Sequence, residues 1–137
     1  MIPRLRARRR EGGTALIEFA LVLPFVICLT FAVVDLSRAF FVKNILYQAA
    51  REGARTAVVT TAADKDVVEA RVKQVADAGN VTLSSVTIDT AANKQIGVTV
   101  STSFQWLFPR VFSWTGAPFT SQGTKLEATA WMRKETP

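Results

Sequence analysis

The stretch Phe19–Val34, FALVLPFVICLTFAVV, holds sixteen residues without a charge. Extended back to Thr14, it is 21 residues with Glu18 as the single charge. A helix of roughly 20 residues, rising 1.5 Å per residue, crosses a bilayer core of about 30 Å. Immediately before it stand Arg4, Arg6, Arg8, Arg9 and Arg10 against Glu11 alone, so residues 1–13 carry +4 of the chain's +6. An arginine block on its own reads as a phosphate-binding arm. Followed directly by an uncharged span, it reads instead as the determinant that keeps that end in the cytoplasm. A cleaved secretory signal fits less well, because Ser37 and Ala39 give only a loose cleavage spacing with Arg38 between them. A buried core helix of a soluble protein fits the arginine-flanked span poorly. The reading preferred is a retained single-span anchor, with the polar bulk of the chain on the extracytoplasmic side.

Working outward, the helical period continues past the span to residue 60. Leu36, Ala39, Phe40, Leu46, Tyr47, Ala50, Ala54, Ala57 and Val58 recur at steps of three and four, interrupted by Lys43. Lys43, Asn44, Gln48, Arg51, Glu52 and Arg55 mark the other face. A seam of small residues runs through Ala49, Ala50, Gly53, Ala54 and Ala57. Such a helix is about 70 Å long and has to lie on its own domain or on partner helices. Pro24 removes one helical hydrogen bond and is expected to kink the span. Residues 60–63 read as a linker. A second helix follows from Asp64 to Ala78, with Val67, Val68, Val72, Val75 and Ala76 on one face, an Asp66/Glu69 capping box and a Gly79 C-cap.

From Val81 the period changes to two. VTLSSVTID (81–89), QIGVTVSTSF (95–104) and TKLEATAWMR (124–133) alternate like strands. Val81 and Leu83 fall out of phase with Val86 and Ile88, which points to a bulge near Ser84-Ser85. Trp106, Leu107, Phe108, Val111, Phe112 and Trp114 cluster around Pro109-Arg110. The plainer reading is a loop folded over a small core; the sharper one is a subunit contact or an anchor at the membrane interface. The fold class is therefore α+β: a long N-terminal helix (transmembrane, then an amphipathic stalk), a short second helix and an antiparallel sheet of three or four strands. The segments are a basic leader (1–13), a transmembrane segment (14–34), its extramembrane continuation (35–60) and a small extracytoplasmic domain (61–137).

The chemistry available is narrow. The chain has no His and one Cys, Cys28, which excludes an internal disulfide, a His-based triad and His-ligated metal. Neither a phosphate loop nor paired catalytic carboxylates appear, so the chain reads as non-enzymatic with no cofactor and no small-molecule substrate. Cys28 reads as a packing residue. Glu18 is the most informative side chain, since an acid in an apolar span costs a few kcal/mol and is usually retained for function. Gln48 to Arg55 (QAAREGAR) has two readings: the seam packs on the chain's own sheet, or Arg51, Glu52, Gly53 and Arg55 contact a partner.

The string RRREGGTALIEFALVLPF resembles the start of pilin-type subunits with a class III leader. With VVDLSRAFFVKNILYQAAREGARTAVV it closely resembles the TadE-like family of pseudopilins from Flp/Tad (tight-adherence) pilus assembly. The resemblance implies cleavage by a prepilin peptidase between Gly13 and Thr14. It places Glu18 fifth in the mature chain, followed by Phe19, as an assembly and register determinant. It also implies other pilin or pseudopilin subunits, Tad assembly proteins, the peptidase and the lipid membrane as partners, with no nucleic acid. The expected location is the bacterial cytoplasmic (inner) membrane, single-pass, with the N-terminus inside. Physically, an acid one turn from a fresh N-terminal amine, both in apolar surroundings, needs a counter-charge on a neighbouring helix. Pairing across helices would set their axial offset. The competing reading is a single-span anchored binding or adaptor module that never enters a pilus.

Overall fold

The computed structural model describes residues 11–60, 64–91, 94–112 and 123–134. Helix α1 runs unbroken from Glu11 to Val59, 49 residues, and includes Pro24. It begins three residues before the expected start. Helix α2 is Lys65–Ala78, β1 is Ser85–Ala91 and β2 is Gln95–Phe104. A six-residue helix α3, Leu107–Phe112, precedes β3, Thr124–Arg133. Residues 1–10, 61–63 and 113–122, Trp114 included, lie outside the described residues.

The three strands form one antiparallel sheet in the order β1-β2-β3. Val86 faces Val100 and Val98 faces Ala130, while Val100 faces Ala128. One register therefore gathers the alternating apolar residues of all three strands on a single face. That face is covered by α1 and α2, and the core joins Leu46, Ala49, Ala50, Ala54 and Ala57 to Val68, Val72, Val98, Val100 and Ala128. Each fully buried Leu or Val there contributes about 1.5–3 kcal/mol relative to exposure. On the opposite face the Thr99 and Thr129 hydroxyls pair across strands at 2.9 Å.

The α+β class, the long first helix, the short second helix and the three strands agree with the sequence reading, and β2 and β3 have the expected bounds. Three details differ. Residues 81–84 are not strand; β1 starts at Ser85, so the phase shift marks the end of a connection and not a bulge. The α2 N-cap is Asp64, without a side-chain cap bond, and Asp66 lies in the first turn, so no capping box forms. The third is α3, where a loop was expected. At its other end α2 closes as anticipated at Gly79. The residue that turns left-handed is Asn80 (φ 54°), which lets Val81 N–H reach Ala76 C=O at 2.9 Å and Asn80 N–H reach Asp77 C=O at 2.9 Å.

Candidate functional site

Three places on α1 carry the residues of interest. At its start, Gly13, Thr14, Glu18 and Phe19 are all exposed. A side chain added at Gly13 would meet nothing within 4 Å. The surrounding helix, Gly13 onward, is long and apolar enough to cross a membrane, and none of its most apolar 18-residue window is buried by the rest of the protein.

Near its far end, the seam and its charges separate. Leu46, Ala49, Ala50 and Gly53 are buried. A Cβ placed on Gly53 would sit 2.5 Å from Val72 Cγ2 and 3.1 Å from Val98 Cγ1, so α2 and β2 both close on that backbone. Of the two readings of the seam, the structure realises the internal one, and Gly53 is a packing residue. Arg51 and Arg55 are exposed. Glu52 accepts from Arg71 Nε at 3.2 Å and Nη2 at 2.9 Å, which ties α1 to α2, and Arg55 stands 4.0 Å from its other oxygen. Glu18 and Arg51 are 33 residues apart on one helix, about 50 Å, so the fold does not unite the two groups into one site.

Between them lies the site that sequence reasoning missed. Asp35 is the first charge after the uncharged run, yet it is 1% exposed. Its carboxylate accepts the Leu107 N–H at 2.9 and 2.8 Å and the Phe108 N–H at 2.8 Å. Those are first-turn donors of α3, which have no partner within their own helix. Arg38, one turn on, donates to the same carboxylate at 3.1 Å. Its guanidinium lies 5.3 Å from the Phe104 ring centroid. Phe104 meets Trp106 edge-on at 5.1 Å, and Trp106 Nε1 donates to Thr124 Oγ1 at 2.7 Å. Asp35 thus fastens α1 to α3, and Arg38 and Trp106 carry the junction on to the end of β2 and the start of β3. The i,i+3 spacing of Asp35 and Arg38 was visible in the sequence. The partners 72 and 73 residues away were not.

Two further sequence expectations resolve here. Leu36, Phe40 and Tyr47 share the helical period but stay exposed, at 53%, 62% and 45%. Cys28 is half-buried and lines an apolar groove of about 640 Å³ with Leu29, Ala32, Leu36, Trp106 and Phe108. Among the described residues, no group of His, Cys, Asp and Glu is arranged to hold a metal ion.

Fold and site together define a class: a small α+β head clamped to the middle of a long helix whose other half is bare and apolar, as in a single-pass membrane anchor. Residues 13–55 match the family model of TadE-like proteins. The match runs along α1 from the glycine before Thr14 to Arg55 and ends before α2 and the sheet. Comparison with curated proteins and with solved structures gives no match.

Proposed function

We propose that this chain is a non-enzymatic, membrane-anchored pseudopilin that takes part in assembling an Flp/Tad-type pilus or its secretion machinery. The observation that carries the reading is the coincidence of the TadE-like match with a bare apolar helix bearing one acid near its start. Residues 14–34 span the cytoplasmic membrane, the arginine block holds residues 1–13 inside, and residues 35–137 lie outside. A prepilin peptidase cuts between Gly13 and Thr14. Two glycines, the poorest helix formers after proline, sit there in the first turns of α1, so this is the part of the helix most easily opened for cleavage.

Lateral assembly has a face to use. Glu18, Leu21, Val22 and Phe25 share one face at steps of three and four, clear of the α3 groove, and all are exposed. A neighbouring subunit's helix laid along this stripe covers apolar surface and brings its N-terminal amine to Glu18, which fixes the offset. Phe19 flanks the acid, and Arg51 and Arg55 remain available for acidic partners at the far end. Mass spectrometry of the protein extracted from membranes that contain the peptidase tests the first step. An N-terminus at Thr14 is expected, and a chain still beginning at Met1 would count against processing. Glu18→Gln is expected to insert normally and to lower recovery of pilus components with the tagged protein; unchanged recovery removes the register role.

A further inference from the structure

Asp35 does more than join two elements, because of where along α1 it holds α3. The groove beneath α3 is floored by Cys28, Leu29 and Ala32, all inside the uncharged run, and roofed by Trp106, Phe108 and Pro109. Cys28 lies seven residues below Asp35, about 10 Å along the axis. The head-side half of a hydrocarbon core is about 15 Å deep. Once α1 spans a bilayer, the groove reaches well below the level at which the helix leaves the hydrocarbon.

The chemistry of the lining agrees with that depth. Among the described residues that line it, Asp35 is the charged one, and its oxygens are taken by two backbone N–H groups and Arg38. Trp106 has its indole N–H bonded to Thr124, which leaves the ring as apolar surface. An aromatic body with one satisfied polar end suits the boundary between headgroups and acyl chains. One turn above the clamp, the Arg38 side chain is half exposed, at the height of the phosphates. Cys28, Leu29 and Ala32 already face lipid in a spanning helix, so acyl chains continue into the groove over its described apolar lining.

We infer that α3 and this groove form a second membrane contact: acyl chains of the head-side leaflet fill the space between α3 and Cys28–Leu36, and Arg38 meets the lipid phosphates. The inference rests on the reading of α1 as a membrane span. The head is then seated on the bilayer surface at two points, the helix and α3, and its tilt is restricted.

The test uses the full chain reconstituted in phosphatidylcholine vesicles that carry bromine on the acyl chains, either near the headgroup or near the chain end. A Trp114→Phe, Trp131→Phe variant leaves Trp106 as the sole reporter. A second protein, with Phe25→Trp and the three native tryptophans replaced by Phe, reports the span itself. Trp106 emission should be quenched, more by shallow bromine than by deep. Quenching of the Phe25→Trp protein with Trp106 untouched overturns the α3 contact and leaves the anchor intact. Absence of quenching in both overturns the anchor and the α3 contact with it. Unquenched Trp106 accompanied by oxidative dimerisation through Cys28 assigns the groove to a second copy and overturns the lipid assignment.

Discussion

Two halves of one helix have opposite surroundings. From Gly13 to Val34 α1 is exposed almost all round, whereas from Asp35 to Val59 it has one face sealed by α2, β2 and β3. Both halves are rich in apolar residues, but of different sizes. The lower half uses Leu, Val, Ile and Phe, which project away from the rest of the protein. Apart from Leu46, the buried apolar face of the upper half uses Ala and Gly, which let a sheet and a second helix approach the backbone. Large side chains mark where the helix stands clear of the head, and small ones mark where it meets its own domain. The change occurs at Asp35.

Substitutions matched across that boundary sharpen the contrast. The largest effect is expected from Leu46→Ala, since Leu46 is fully buried. It should cost the head about 3 kcal/mol, read from thermal unfolding in detergent by near-ultraviolet circular dichroism. Leu21→Ala, in the bare half, should leave that transition in place, and equal losses in both would erase the distinction. Next is Asp35→Ala, which orphans the Leu107 and Phe108 N–H groups and should cost about 2 kcal/mol. Amide hydrogen exchange should show α3 losing protection while the centre of β2 keeps it; uniform loss would mean that the clamp is not local. Gly53→Ala follows at about 1–2 kcal/mol, because the new methyl meets Val72. The same change at Gly13 meets no neighbour and should leave head unfolding unaltered. Smallest is Glu52→Gln, about 0.5 kcal/mol, since its bridge to Arg71 is partly solvated. A loss that persists undiminished in high salt would argue against an ion-pair origin.

What could be read from the residues follows the range of the interactions involved. The bounds of β2 and β3 were legible because alternation is local and covers ten residues in each. The span and its continuation were legible because period and charge are local too. The Asp35 junction was not, since hydrogen bonds across 72 residues leave no spacing in the sequence. A lone acid ending a sixteen-residue uncharged run was the available signal. Helical period showed that Leu36, Phe40 and Tyr47 share a stripe with apolar neighbours. It could not show that the sheet settles on the adjacent stripe through Leu46 and Gly53. Pro109 and the surrounding aromatics resemble a breaker within a cluster, so local sequence favours a loop where α3 forms. The carboxylate that supports its first turn comes from elsewhere in the chain. Val67, expected on the packed face of α2, stays half exposed while Val68 and Val72 are buried, since both residues of a neighbouring pair cannot face inward equally.

The Lys43 ammonium donates to the Glu127 carbonyl, joining positions 84 apart, and Ala128 beside it packs into the same core. A segment of α1 therefore completes its packing with one that leaves the ribosome 84 residues later. Until residues 124–133 emerge, β2 has one unpaired edge and the inner face of α1 is only partly covered, the state in which a chain is most prone to mispairing. Synthesis stalled before Thr124 should yield a helix-bearing species that chaperones or proteases capture, and emergence of the ten-residue β3 should be the event that ends that vulnerability.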